Sequence, residues 1–233
     1  MPELPEVETT RRGVEPFSRR QRIVEVRVRE PRLRWPVPPD LAERLRGLEV
    51  QAVERRAKYL LFRTSEGTLL VHLGMSGSLR VMDPGEPPLK HDHIDLVFDN
   101  GRCLRFNDPR RFGCFLWVAA GEQHPLLSKL GPEPLSQDFD GEYLYRRSRG
   151  RRGPVKHFIM DGHIVVGVGN IYANEALFLT QPTVSMQIKK LTDVVGLPLF
   201  EHVGRNVVPT EAGIELYHAC RDIFQILSNL EMK

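Results

Sequence analysis

The chain has little cysteine, and the little it has is scattered: Cys103, Cys114 and Cys220 stand far apart, with no Cys-x-x-Cys pair among them. That spacing excludes a disulfide framework and a tetrahedral zinc site, and leaves buried or incidental thiols. Long apolar runs are also missing. With no 18-residue apolar stretch and no signal peptide, the chain reads as cytoplasmic, with no membrane partner. Excess charge of one sign is small: the formal net charge is +3, so the overall balance does not by itself call for nucleic acid. Internal repeats and long low-complexity tracts do not occur.

What is present is 233 residues with 41% hydrophobic content, enough for a core in one large or two small domains. Positive charge is concentrated rather than abundant. Arg146, Arg147, Arg149, Arg151 and Arg152 crowd together, followed by Lys156, with Gly150 and Gly153 between the charges. Phosphate is the natural partner of such a segment, and a solvated loop is the equal alternative.

Periodicity divides the chain. Residues 5–17 predict a helix. From about 22 to 118 the pattern turns to short strands: 23–29 alternates apolar and polar residues, and 50–53, 59–64, 68–73, 93–98 and 103–106 continue it. Turn signals such as Asp99-Asn100-Gly101 separate them. The fold class expected is α+β, an N-terminal helix with a β-sandwich or barrel-like domain. The Pro-rich stretch 34–40 leads to a short helix near 40–46. Gly131-Pro132-Glu133-Pro134 marks a domain boundary, after which helices take over.

The chain opens Met1-Pro2-Glu3-Leu4-Pro5-Glu6-Val7-Glu8-Thr9. Removal of Met1 would make Pro2 a free secondary amine. Such an amine titrates near ~8, against ~10.4 for lysine, so more of it is neutral and nucleophilic at pH 7. Its attack on an aldehyde gives an iminium, an electron sink for elimination. Glu3 and Glu6 lie within a turn and can move protons. The simpler reading is a helix start, with Pro5 in the first turn and acidic residues near the positive end of the dipole.

This opening resembles that of the bacterial formamidopyrimidine-DNA glycosylases. Five further stretches agree in order: Arg56-Ala57-Lys58-Tyr59, His72-Leu73-Gly74-Met75-Ser76-Gly77, Lys90-His91-Asp92-His93, Asp108-Pro109-Arg110-Arg111-Phe112-Gly113, and Val165 through Glu175. The resemblance covers residues 1–178. It implies a glycosylase and abasic-site lyase acting on oxidised purines, 8-oxoguanine and formamidopyrimidines, in double-stranded DNA. The enzyme would be a nucleoid-associated monomer. Pro2 would be the nucleophile and Glu3 the acid/base, with Glu6 beside it. Lys58 would donate a proton in β-elimination, its pKa lowered by Arg55 and Arg56. Base flipping leaves a void. Met75 and Phe112 match the residues inserted there, and Arg110 matches the one that bonds the orphaned base. His91, Arg151, Lys156 and Asn170 match backbone contacts. Gly167 and Gly169 would allow a tight turn that brings main-chain N–H groups to a phosphate.

Beyond Phe178 the chain ceases to resemble the glycosylases. Their remaining helices, and a zinc finger with four cysteines and an arginine for the second elimination, have no counterpart, so no cofactor and no metal is expected. Without that wall of the cleft, base excision should be weak or absent, with residual lyase action. Residues 179–191, then 196–201 and 208–213, resemble the helix-turn-helix of LysR-type transcriptional regulators, with Thr180 capping a recognition helix, 201–208 as a wing and Thr210 capping a final helix. The sequence therefore reads as a chimera of three parts, 1–131, 132–178 and 179–233. The alternatives are a non-catalytic DNA-binding module and a non-functional product that aggregates.

Overall fold

The structure, a computed structural model, describes residues 2–177, 189–203 and 206–219. It falls into two compact units, residues 1–174 and 175–233.

The first unit begins with helix α1 (Leu4–Ser18). Glu3 is its N-cap residue, and Glu6, three residues into the helix, accepts the Glu3 main-chain N–H at 2.8 Å. That is the reciprocal bond of a capping box, and Pro5 fits the first turn because its missing N–H would have no partner there. Strand β1 (Ile23–Val28) and helix α2 (Leu41–Leu45) follow. Seven strands come next: β2 (Ala52–Arg56), β3 (Tyr59–Arg63), β4 (Gly67–His72), β5 (Ser78–Met82), β6 (Asp92–Phe98), β7 (Cys103–Asn107) and β8 (Cys114–Ala119).

The strands form two antiparallel four-stranded sheets, ordered β1-β6-β7-β5 and β2-β3-β4-β8. Both sheets are open, so the barrel-like alternative fails. Thirteen of the residues that share one core come from the strands named here: Ile23, Leu79, Ile94, Leu96, Phe98, Leu104 and Phe106 from the first sheet, and Val53, Leu60, Phe62, Leu69, Val71 and Phe115 from the second. Val7 and Val14 of α1 and Leu41 and Leu45 of α2 join them. Phe106 and Phe115 meet across this core with ring centroids 5.0 Å apart. At ~2 kcal/mol per large apolar side chain removed from water, this layer is the main stabilising element. The second sheet also buries its outer side. Leu61, Leu70, Leu116 and Val118 pack there with Leu126 and Leu127 of α3 (Pro125–Ser128).

Helices α4 (Gly141–Ser148), α5 (Val155–Met160) and α6 (Asn170–Ala176) follow a linker. Asp140 caps α4 by accepting the Tyr143 N–H at 2.6 Å.

In the second unit residues 189–195 are helical. Strands β9 (Phe200–Val203) and β10 (Asn206–Pro209) pair as an antiparallel hairpin. Residues 211–219 form a helix that Thr210 caps, its Oγ1 accepting the Gly213 N–H at 3.1 Å. The cap expected at Thr180 and most of the recognition helix lie outside the described residues. Among the described residues no helix is long and apolar enough to cross a membrane.

Candidate active site

The start of α1 and the loop leading into α6 are joined through one buried carboxyl group. Glu3 is 1% exposed. Its Oε2 accepts N–H groups from Gly169 at 2.6 Å and Tyr172 at 3.3 Å, and its Oε1 accepts that of Ile171 at 2.8 Å. The neighbouring Leu4 N–H donates to the Gly167 carbonyl at 3.1 Å. Glycine is required twice here. Gly167 has φ +86°, and a Cβ on it would stand 2.4 Å from Leu4 Cδ1; a Cβ on Gly169 would stand 2.5 Å from Glu3 Cδ. The sequence reading gave these glycines to a phosphate. The structure instead engages the Gly169 N–H with Glu3.

Pro2 is half-buried immediately ahead of this contact. Glu6 is exposed; its Oε1 accepts the Tyr172 hydroxyl at 3.0 Å while its Oε2 serves the cap. Desolvation raises the Glu6 pKa, but the hydrogen bonds from the Glu3 N–H, its own N–H and the Tyr172 hydroxyl outweigh it and leave the carboxyl below its ordinary value.

Lys58 arrives from the sheet β2-β3-β4-β8. It sits in the two-residue turn between β2 and β3, half-buried, and its Nζ donates to the Val168 carbonyl at 3.2 Å. Burial pushes its pKa down, against the pull of the Glu3 and Glu6 carboxylates. The direction matches the sequence reading and the cause does not. Arg55 and Arg56 are turned to acidic partners: Arg55 to Glu8 at 3.2 Å and Glu133 at 2.7 Å, Arg56 to Glu133 at 2.9 Å. Pro2, Glu3, Glu6, Lys58 and Asn170, the exposed first residue of α6, therefore belong to one neighbourhood.

A second cluster forms around a cavity of about 740 Å³ whose lining includes Arg32, Arg34, His72, Met75, Arg111 and Phe112. Met75 and Phe112 are apolar yet 41% and 39% exposed, so neither is spent on core packing. The Arg110 guanidinium lies 4.7 Å over the Phe112 ring. Asp108, fully buried, ties the two loops that carry these residues. Its Oδ1 accepts the Ser76 hydroxyl at 2.7 Å and the Arg110 N–H at 3.3 Å, and its Oδ2 accepts the Gly113 N–H at 2.8 Å. His91 accepts the Asp108 N–H through its carbonyl at 3.0 Å, and its ring stands 6.3 Å from that of His93.

Arg151 and Lys156 lie elsewhere. Arg151, between α4 and α5, pairs with Asp161 at 3.5 Å and lies 5.3 Å over the Phe158 ring. Lys156 is half-buried in α5.

Sequence reasoning missed three residues here: Asp108, His72 and Glu133. Asp108 carries a signal, because an Asp-Pro pair followed by a loop favours an Asx turn. His72 sits mostly buried at the cavity, its Nδ1 accepting the Gly74 N–H at 2.9 Å. Burial, helped by the positive charges of Lys58 and Arg34 and opposed by Asp108, drives its pKa down to about 4.

Cys103 and Cys114 are free and buried in β7 and β8, and Cys220 lies outside the described residues. Among the described residues no group of three or more His, Cys, Asp or Glu side chains can hold a metal ion. The cysteines at hand do not fit a four-thiolate zinc site.

Two family models match this chain: the formamidopyrimidine-DNA glycosylase N-terminal domain over residues 1–115, and the formamidopyrimidine-DNA glycosylase H2TH domain over residues 130–194. The formamidopyrimidine-DNA glycosylase of Marinobacter nauticus is 64% identical over 178 residues, 76% of this chain and 66% of that protein. That of Hydrogenovibrio crunogenus is 54% identical over 200 residues, 84% and 71% of the two chains. In three dimensions the chain is similar to the Lactococcus lactis enzyme bound non-covalently to DNA containing an abasic site. The TM-score is 0.70 at 34% identity, covering 76% of this chain and 69% of that one. A second similar structure is the wild-type L. lactis protein with DNA containing an oxidised pyrimidine, with a TM-score of 0.71 at 35% identity, covering 76% and 68%.

The chain belongs to the formamidopyrimidine-DNA glycosylase family. It spans 66% of the length of the M. nauticus relative. The H2TH match reaches residue 194, past the point where the sequence reading placed the end of the resemblance.

Proposed function

We propose that this chain is a DNA glycosylase and abasic-site lyase acting as a monomer on double-stranded DNA with oxidised purines, 8-oxoguanine and formamidopyrimidines, or abasic sites. The observation that carries the proposal is the convergence of Glu3 and Lys58 beside Pro2, through the loop 167–172. With Met1 removed, the Pro2 amine attacks C1′ of the damaged nucleotide and the C1′–base bond breaks. The base takes its electron pair and a proton. The nitrogen–carbon bond that results becomes an iminium as the sugar ring opens, with Glu3 beside the ring oxygen to move the proton. Loss of a C2′ proton then expels the 3′ phosphate, and Lys58 supplies protons in that step.

Met75 and Phe112 suit the void left by a flipped nucleotide because both are exposed apolar side chains on loops tied together by Asp108. Arg110 is the matching donor for the orphaned base. His91, Asn170, Arg151 and Lys156 are assigned to the DNA backbone. The three cysteines of this sequence do not fit the four-cysteine zinc finger that the family resemblance implies.

The test is borohydride trapping. The purified chain is incubated with an 8-oxoguanine duplex and with an abasic duplex, and the imine is reduced. A covalent adduct that disappears in Pro2→Gly is expected. Absence of any adduct on the abasic duplex would overturn the reading.

Residues 179–233, of which the H2TH match takes in 179–194, we read as a winged-helix segment of the LysR kind. Its support is local: the hairpin of β9 and β10 and the helix capped by Thr210. Salt-sensitive duplex binding that survives in Pro2→Gly but is lost on removing 179–233 would support it.

A further inference from the structure

Glu133 stands in the segment that the sequence marks as a domain boundary, and its carboxyl group grips the turn that carries Lys58. Oε1 accepts the Ala57 main-chain N–H at 2.7 Å and Arg56 at 2.9 Å; Oε2 accepts Arg55 at 2.7 Å. The turn is only Ala57 and Lys58 long, and Ala57 has φ +54°, a left-handed conformation that L-residues avoid. A bond from outside the hairpin therefore holds the turn in a shape its own residues disfavour.

The other side of the same segment reaches the loop that receives the lysine. The Gly131 N–H donates to the Gly162 carbonyl at 2.8 Å, and the Val166 N–H donates to the Pro132 carbonyl at 3.1 Å. A Cβ on Gly131 would stand 2.8 Å from the His163 carbonyl oxygen, so the approach is as close as backbone allows. Two residues past Val166 is the carbonyl of Val168, the acceptor of Lys58 Nζ. The turn that presents the amine and the loop that accepts it are thus tied to three consecutive residues.

We propose that Glu133 is the positioning residue for Lys58: it fixes the Ala57–Lys58 turn so that the amine meets the Val168 carbonyl beside Glu3. The consequence for strand scission rests on the function proposed above; the placement of the lysine does not. Ion pairing for stability alone is the competing account. Arg55 keeps Glu8 as a partner and Arg56 keeps the Leu130 and Gly131 carbonyls without Glu133. The bond to the Ala57 N–H is the one that shapes the turn.

The experiment compares wild type, Glu133→Gln and Glu133→Ala, each folded by circular dichroism, with the lysines labelled by ¹³C reductive methylation. The Lys58 signal is assigned by its loss in Lys58→Arg. In wild type it should titrate below the exposed lysines, with the Glu3 and Glu6 carboxylates and His72 as the ionisable groups around it. In Glu133→Ala it should move up toward them, and less in Glu133→Gln, which keeps an acceptor for the Ala57 N–H. Single-turnover scission of an abasic duplex should fall roughly tenfold in Glu133→Ala, while the trapped adduct persists. The same change in a Lys58→Ala background should cost nothing further. An unmoved Lys58 titration in both variants, or an equal loss in the Lys58→Ala background, overturns the proposal. A wild type that cleaves nothing defeats the functional reading, and the titration still decides the role of Glu133. If Glu133→Ala does not fold, the Gln variant carries the comparison.

Discussion

Gly169 donates its main-chain N–H to Glu3 at 2.6 Å, and a Cβ at that position would stand 2.5 Å from the Glu3 carboxyl carbon. The contact leaves no room for a side chain, and it locates a group on which the proposed chemistry depends. Gly169→Ala should push Glu3 off the loop by a large fraction of an ångström. A displacement of ~1 Å at a reacting group can cost ~100-fold in rate. Single-turnover base excision should fall by that order while thermal unfolding shifts by only a few degrees. A variant with unchanged excision would show that Glu3 does not act from this position.

The elements with strong local signals were readable in the sequence. The helix read at 5–17 is α1, and the alternation at 23–29 is β1, because one side of that strand is wet. β5 and β8 were not singled out, since β5 is short and mixes Ser78, Leu79 and Arg80, and β8 buries most of both sides and so shows no alternation. The site residues that belong to contiguous motifs were legible. Glu133 was not, because its partners Ala57, Arg56 and Arg55 lie 76, 77 and 78 positions away. The true cause of the Lys58 shift was hidden for the same reason. Local sequence shows Arg55 and Arg56 beside it, and only the fold shows that both are paired and that the lysine is half-buried.

A buried ion pair between neighbouring strands escaped the sequence as well. Arg105 of β7 is 1% exposed and grips Asp95 of β6 with two bonds, Nε to Oδ1 at 2.9 Å and an NH2 bond to Oδ2 at 3.0 Å. Arg29 adds a second guanidinium to the same carboxylate at 2.5 Å. Burial raises the Asp95 pKa, and the bonds from Arg29 and Arg105 more than reverse that. Asp95→Leu would leave Arg105 in the interior with only the longer contacts to Asp92 at 3.9 Å and the Pro87 carbonyl at 3.4 Å, and removing one partner of such a pair costs about 3–5 kcal/mol. The double change Asp95→Leu with Arg105→Met should recover part of that loss. Urea midpoints at constant slope measure both. A double variant no more stable than Asp95→Leu would show that the stranded charge is not the source of the cost.

His72 gives a pH dependence of definite sign. Its pKa is about 4 in the folded protein, against 6.5 ordinarily. Between those values the unfolded chain binds more protons than the native one, so stability rises with pH across the window. Above the window His72 contributes no slope. Below it the loss is complete, at about 3 kcal/mol. His72→Gln keeps an acceptor for the Gly74 N–H and carries no titrating group. Its unfolding free energy should change less between pH 6.5 and 4 than that of wild type. Equal slopes for the two proteins would mean that His72 is not held neutral.

Asp108 links the Met75 loop to the Arg110–Phe112 loop through Ser76, Arg110 and Gly113, and its own carbonyl accepts from His93 Nε2 at 2.8 Å. Asp108→Ala leaves the half-buried Ser76 hydroxyl and the buried Gly113 N–H without their acceptor, while the Arg110 N–H keeps Ser76 Oγ at 3.3 Å; the cost is about 1–3 kcal/mol. The functional effect should be selective. Extracting an intact damaged nucleotide requires unstacking it, at a few kcal/mol, and filling the space it leaves. An abasic site has no base to unstack. Loosening the loops should therefore slow excision of 8-oxoguanine by ten- to a hundredfold, on the order of 1.4–2.7 kcal/mol, and slow lyase action on the matching abasic duplex far less. Asp108→Asn, which keeps one acceptor oxygen and the shape, should fall between. The ratio of the two single-turnover rates is the measurement. A fall by the same factor on both duplexes would place Asp108 in general folding rather than in the presentation of Met75, Arg110 and Phe112.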